Sequence, residues 1–245
     1  MTSQLRQIQA RAIVFDAVGT LLRADPPVAD VYHLAGWQHG SQLGRDEVGR
    51  RMRDAFAASE AGEGLIREAT SETRERERWR RIVRSIFDDV PDSSGPLFRT
   101  LWQHFAEPQS WRLFDDVGAT LGELAERGFR LAIASNFDRR LRAIVAADSA
   151  LRRCEHCFIS SEIGFPKPDG RFFAQAAALL DVPPNQILLV GDDWTNDILG
   201  ARAAGWQVVW LNRSPLSPVV HEQTAGQSSE PSLQSLVDLL PLVER

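Results

Sequence analysis

The sequence predicts an α/β protein: a Rossmann-like parallel sheet core flanked by helices, carrying an inserted helical cap domain. Three observations lead there. Short, continuously apolar runs recur along the chain and alternate with stretches of helical periodicity. The first run ends in an acid, Asp16, followed by a tight Gly19-Thr20 loop. Residues from about 25 to 110 break that rhythm, with helical patterns and no convincing strand.

Taken in order, Arg11-Ala-Ile-Val-Phe15 reads as a buried strand that delivers Asp16 at its C-terminal end. In the block that follows, Trp79, Ile82, Val83, Ile86 and Phe87 fall at helical spacing, as do Leu97, Phe98, Leu101, Trp102 and Phe105. These stripes are the core of a helical cap rather than a cofactor box. Trp37 is expected in that core, while Tyr32, the one tyrosine, reads as either core or substrate-facing. The arginine-rich run from Arg74 to Arg84 interleaves with Glu72, Glu75 and Glu77, the pattern of a solvated helix face. Beyond the cap, Val117 to Arg127 reads as a helix closed by Gly128, and Phe172 to Leu180 as a helix capped by Asp169. Strands are expected at Phe129 to Ala134, Ile187 to Val190 and Val208 to Leu211, with a weaker one at Cys157 to Ile159. Ser214 to Ser232 is rich in Pro, Ser, Gln and Gly and reads as a surface loop, before a final helix over Leu233 to Leu240. The expected division is 1–24 and 111–245 for the core and 25–110 for the cap.

Composition narrows the function. With 43% hydrophobic residues the chain can build a real core. Its formal charge of -5 gives no global attraction to nucleic acid or an anionic membrane. The opening residues lack the apolar stretch of a signal peptide, and no run approaches a membrane span. A cytoplasmic monomer or homodimer is expected. Cys154-Glu155-His156-Cys157 is a lone C-x-x-C with no second ligand pair, so packing is preferred over zinc or redox chemistry.

Four polar clusters lie at the expected strand ends or in the loops beyond: Asp16 with Thr20, Ser135 with Asn136, Lys167, and Asp192-Asp193 with Asn196-Asp197. In a parallel sheet those ends face one side, where ligands bind. Of 28 basic residues only Lys167 is a lysine, and it sits between two prolines. The residue before a proline is held extended, so this ammonium belongs to a stiff loop.

Together, Val14-Phe-Asp-Ala-Val-Gly-Thr-Leu21, Ala134-Ser-Asn136, Pro166-Lys-Pro-Asp169 and Val190-Gly-Asp-Asp-Trp-Thr-Asn-Asp197 resemble the haloacid dehalogenase (HAD) superfamily of hydrolases. The stretches Ser135 to Leu141, Ser161 to Asp169 and Pro231-Ser-Leu are most similar to its HAD-like hydrolase domain-containing protein 3 subfamily. The resemblance implies that Asp16 is a nucleophile forming a covalent intermediate. It implies that Gly19, Thr20, Ser135 and Asn136 contact the transferring group and that Lys167 neutralises Asp16 and a substrate oxygen. It further implies Mg²⁺ held by Asp16, the Val18 carbonyl and Asp192, with Asp193 or Asp197 in support. One position departs from the pattern: HAD phosphatases carry a second acid two residues after the nucleophile, and this chain has Val18. General acid-base help is worth about 10² to 10⁴ in rate, or about 3 to 5 kcal/mol of barrier. The resulting order of readings is a Mg²⁺-dependent phosphohydrolase acting on a small phosphorylated metabolite, then a non-catalytic or very slow phosphate-binding relative, then a metal-independent 2-haloacid dehalogenase.

Overall fold

The computed structural model describes residues 7–60, 68–213 and 232–245. Strand β1 (Ile8–Gln9) is followed by β2 (Ala12–Phe15), the strand expected before Asp16. After a short β3 (Leu22–Ala24) the chain enters four helices, α1 (Val28–Gln38), α2 (Arg45–Glu60), α3 (Glu72–Ile86) and α4 (Pro96–His104). It returns through β4 (Trp111–Leu113), which pairs antiparallel with β3, a two-strand ribbon the sequence pattern does not announce. Then come α5 (Val117–Glu126), β5 (Arg130–Ser135), α6 (Arg140–Ala147), β6 (His156–Ile159), α7 (Ser160–Ile163), α8 (Gly170–Leu180), β7 (Ile187–Gly191), α9 (Gly200–Ala203) and β8 (Gln207–Leu211). β9 (Ser232–Leu233) and β10 (Val243–Glu244) close the described chain, and β10 pairs with β1.

The six-stranded sheet runs β6-β5-β2-β7-β8-β9, every pairing parallel. Alternate side chains of each strand enter two separate cores, as the period of two requires. Ile13 and Phe15 of β2 join Val117, Leu121 and Leu124 of α5 on one face. Ala12 and Val14 join Phe172, Phe173 and Ala176 of α8 on the other. Both faces are covered, which is why these strands read as unbroken apolar runs. The chain visits β2, β5 and β6 on one side, then crosses to β7 on the other. That reversal opens a crevice at the carboxyl ends of β2, β5 and β7.

The inserted helices pack around a third cluster, with Tyr32, Val48, Ile82, Ile86, Phe87, Leu97, Phe98 and Leu101 buried in it. Trp37 is not among them. It is 67% exposed, because α1 turns Val31, Tyr32, Ala35 and Gly36 inward and leaves the next position outside. Gly36 sets that face, since a β-carbon there would lie 2.3 Å from the Phe87 ring.

The expected loop over Ser214 to Ser232 lies, up to Pro231, outside the described residues. The expected final helix over Leu233 to Leu240 is replaced by β9 and a 3₁₀ turn at Leu236–Leu239. Leu233, Leu236, Leu239 and Leu242 are all buried and recur every third residue, the period of a 3₁₀ helix rather than an α-helix. Cys154 is buried and Cys157 half-buried, both as free thiols. Burial pushes each thiol up to about 12, away from the thiolate that metal or redox chemistry needs. Among the described residues no helix is long and apolar enough to cross a membrane.

Candidate active site

Three adjacent strands deliver the site. β2 ends at Phe15 before Asp16, β5 at Ser135, and β7 at Gly191 before Asp192. Lys167 arrives from the loop between α7 and α8 and is 2% exposed. Its Nζ donates to Asp16 Oδ1 at 2.8 Å, to the Ala134 carbonyl at 2.8 Å and to Asp197 Oδ1 at 2.5 Å. These three acceptors use the three donors of an ammonium. Burial works against the Lys167 charge, but Asp16 and Asp197 outweigh it and hold the ammonium above its ordinary range.

Asp16, Asp192 and Asp197 each offer a carboxylate oxygen within 4.8 Å of the others. Asp16 and Asp197 are buried and Asp192 half-buried. Burial, which penalises a charge, raises all three: Asp16 to about 6 despite Lys167, and Asp192 and Asp197 each to about 7. Fully ionised, three carboxylates against one ammonium leave two negative charges uncompensated. A hard dication that prefers oxygen ligands fits that donor set. Asp16 and Asp192 offer it the less committed oxygens, because Asp197 Oδ2 also accepts from the Asp193 amide at 3.1 Å.

Two glycines make room for this arrangement. Gly19 has φ +98°, and a β-carbon there would lie 2.2 Å from Asp192 Oδ2. At Gly191 it would lie 2.2 Å from Asp197 Oδ2.

Several residues expected at the site have other tasks. Asp193 is not in the acidic group: its carboxylate caps the π-helical turn at Trp194–Leu199, accepting from the Thr195 and Asn196 amides at 2.9 and 2.8 Å. Asn136, expected among the substrate contacts, spends its side chain on the Lys167 peptide. Nδ2 donates to the Lys167 carbonyl at 2.9 Å, and Oδ1 accepts from the Lys167 amide at 2.7 Å. It fixes the lysine loop and borders the cavity. The Gly19 amide is taken by the Leu22 carbonyl at 2.8 Å, and the Thr20 hydroxyl donates to Asp192 Oδ1 at 2.9 Å. The first closes the loop after Asp16, and the second orients Asp192. Ser135 alone of the four borders the cavity with a hydroxyl that bonds no other described side chain. Val18 lines the cavity at 39% exposure, and its backbone bridges to Leu22.

Other contributors went unnoticed in the sequence. Arg213, just past β8, donates to the Thr20 carbonyl at 2.9 Å and to both oxygens of Asp116 at 2.9 Å. Asp116 also accepts from the Ser235 hydroxyl, so one hub ties the Thr20 loop to the returning tail. Trp210 Nε1 donates to the Asp192 carbonyl at 3.1 Å. At the edge of the inserted helices, Glu72 Oε1 accepts from the Arg139 amide at 2.9 Å and the Ser161 hydroxyl at 2.5 Å, joining α3 to α6 and α7. A cavity of about 1520 Å³ lies between those helices and the strand ends, reaching Asp16, Ser135, Lys167 and Asp192 on its floor.

An aspartate directly after β2, a lysine bonded to it and a pair of acids after β7, beneath an inserted helical block, define a HAD-type hydrolase. The sequence matches the haloacid dehalogenase-like hydrolase family over residues 10–205, and the chain belongs to it. It is 31% identical to human (Homo sapiens) haloacid dehalogenase-like hydrolase domain-containing protein 3, over 97% of this chain and 96% of that protein. It is also 31% identical to (S)-2-haloacid dehalogenase 1 of a Pseudomonas species, over 83% and 85% of the two chains. Among solved structures it is similar to a HAD phosphatase from Thermococcus onnurineus, with a TM-score of 0.66 and 19% identity over 94% and 96% of the chains.

Proposed function

We propose that this chain is a Mg²⁺-dependent phosphohydrolase that works through a phosphorylated Asp16. The observation that carries the reading is the group of three carboxylates served by one lysine. A dehalogenase attacks an anionic haloacid, and two further acids beside its nucleophile repel that substrate unless a cation offsets them. When bound, Mg²⁺ supplies positive charge that offsets the repulsion between a carboxylate and an anionic phosphate, about 4 kcal/mol per charge pair at 4 Å and effective dielectric 20. Asp16, Asp192 and Asp197 would hold it.

The remaining roles fall to the chain itself. Lys167 favours the ionised form of Asp16 and aims the carboxylate through its hydrogen bond to Oδ1. Ser135 donates to the transferring group, where preorganised donors lower the barrier. The inserted helices act as a cap that shields the site from bulk water. Val18 offers no proton to the leaving oxygen, so this enzyme favours leaving groups that depart unprotonated. The same gap supports a second reading, a very slow relative that binds phosphate. In either case the partner is a small phosphorylated metabolite, and the protein a cytoplasmic monomer or homodimer that needs neither nucleic acid nor membrane.

The test uses acetyl phosphate, whose leaving group needs no acid. With Mg²⁺, intact mass should show one phosphoryl group on the chain, absent in Asp16→Asn and absent with chelator. Val18→Asp should speed hydrolysis of alkyl phosphates by about 10². Halide release from a 2-haloacid that ignores chelator would overturn the reading in favour of the dehalogenase.

A further inference from the structure

The wall of the cavity is aromatic, and its composition bears on what leaves. Tyr32 of α1 lies 6.0 Å from Phe105, Phe105 lies 5.9 Å from Trp111 of β4, and Trp111 lies 5.8 Å from Phe137, all between ring centroids. All four border the same cavity as Asp16 and Val18. Phe105, Trp111 and Phe137 are only half-buried, so they keep surface for a ligand. Such spacings are those of favourable aromatic pairs, and a planar guest extends the series.

Charge on that wall is already balanced. Arg140 lies 3.5 Å over the Trp102 ring and 5.5 Å from Phe137. Its guanidinium binds Asp138 through two hydrogen bonds, at 2.8 and 2.7 Å, and donates to the Trp102 carbonyl at 3.2 Å. Asp138 is buried and Arg140 nearly so. The pair is internally neutralised, so this aromatic stretch adds no net charge; the other arginines that line the cavity, Arg50, Arg51, Arg74, Arg78 and Arg81, belong to α2 and α3.

Val18 adds an independent constraint. Without an acid to protonate it, the leaving oxygen departs as an anion. A phenol with pKa about 10 does so far more readily than an alkyl alcohol, which resembles water at about 15.7. The wall and the missing acid select the same chemistry.

We propose that the substrate is the phosphate monoester of an aromatic alcohol, its ring stacked among Phe105, Trp111 and Phe137. This deepens the phosphohydrolase reading and rests on it. Asp16 forms a bond to phosphorus as the bond from phosphorus to the aryl oxygen breaks. The oxygen leaves with the electron pair and takes a proton from solvent. Water then attacks phosphorus, the bond to Asp16 breaks with its electrons returning to the carboxylate, and of the two water protons one stays on the released phosphate and the other passes to solvent.

The experiment compares 2-naphthyl phosphate, ethyl phosphate and acetyl phosphate with Mg²⁺. kcat/KM should favour the naphthyl over the ethyl ester by about 10² or more, the scale of the missing acid. Phe137→Ala and Phe105→Ala should each lower kcat/KM for the naphthyl ester about tenfold, leaving acetyl phosphate, too small to reach the wall, unchanged. Retained acetyl phosphate turnover also shows that the variants are folded. As a readout apart from turnover, 2-naphthyl phosphonate should quench tryptophan fluorescence of Asp16→Asn, with weaker binding when Phe137→Ala is added. Equal rates for naphthyl and ethyl esters, beside normal phosphorylation by acetyl phosphate, overturn this inference and leave the phosphohydrolase reading standing. No phosphorylation of Asp16 by any of the three overturns both.

Discussion

Replacing Lys167 with methionine removes the one cation shared by Asp16 and Asp197 and keeps much of the side-chain volume. Taking one partner from a buried ion pair costs about 3–5 kcal/mol, because the orphaned charge stays in place. Here two carboxylates and the Ala134 carbonyl lose their donor together. The acids have an escape, since Asp16 titrates near 6 and Asp197 near 7 even with the lysine present. Without it both rise further, and near pH 5.5 both take up protons in place of the ammonium. The loss should therefore be about 3–5 kcal/mol at pH 8 and shrink below about 2 kcal/mol at pH 5.5, where lost hydrogen bonds dominate. Urea unfolding with chelator present measures this directly. At a slope of about 3 kcal/mol per molar, the midpoint should fall by about 1–1.7 M at pH 8. A loss under about 1 kcal/mol, or one equal at both pH values, would refute the account of Lys167 as the charge that stabilises the acids. Lys167→Arg should also be damaging, since a planar guanidinium cannot fill a site with three tightly placed acceptors.

The acids make a further prediction for the metal-free protein. Their folded-state values lie above the ordinary carboxylate value of 3.8, so the folded chain binds more protons than the unfolded one. Stability in chelator should fall as pH rises from about 4 through about 7, and the Tm gain on adding Mg²⁺ should grow over the same range; a Tm in chelator that rises with pH would contradict the site electrostatics. Gly191→Ala places a methyl 2.2 Å from Asp197 Oδ2 and should cost about 1–3 kcal/mol by overpacking, with Mg²⁺ affinity, read by titration calorimetry, reduced as the acids shift. Asp116→Ala breaks the Arg213 hub and should cost about 2–3 kcal/mol in urea unfolding near pH 7. Arg213, Ser235 and the Leu236 amide together outweigh burial and hold Asp116 below its ordinary value. Its contribution is therefore fully present above about pH 4 and lost as pH falls through the lowered value, so parent and variant should converge in acid.

What was legible followed from period and sequence order. The central strands announced themselves because burial on both faces leaves an unbroken apolar run, and Asp16, Ser135 and Asp192 sit where such runs stop. What was hidden depends on partners far along the chain. Asn136 adjoins Ser135, yet its amide serves a peptide 31 residues away. The Arg213 hub closes over 193 residues to Thr20. Asp193 was readable in principle, since an acid two and three residues before Thr195 and Asn196 at a turn start is a capping signal. Placed between Asp192 and Asp197, it resembles a further ligand by sequence position alone. The three-residue leucine period of the tail is likewise visible in the sequence and fits the 3₁₀ turn better than an α-helix.

The inserted helices bury their side chains in a cluster of their own, separate from the two cores that grip the sheet. The inserted block can therefore change its own packing without disturbing the strands that carry Asp16 and Ser135. A substitution on the cavity side of α1 or α4 can alter which molecule is admitted while Asp16, Lys167 and Asp197 keep their places on β2 and the loops beside it. Such a scaffold lets variation explore new substrates without retesting the reaction each time.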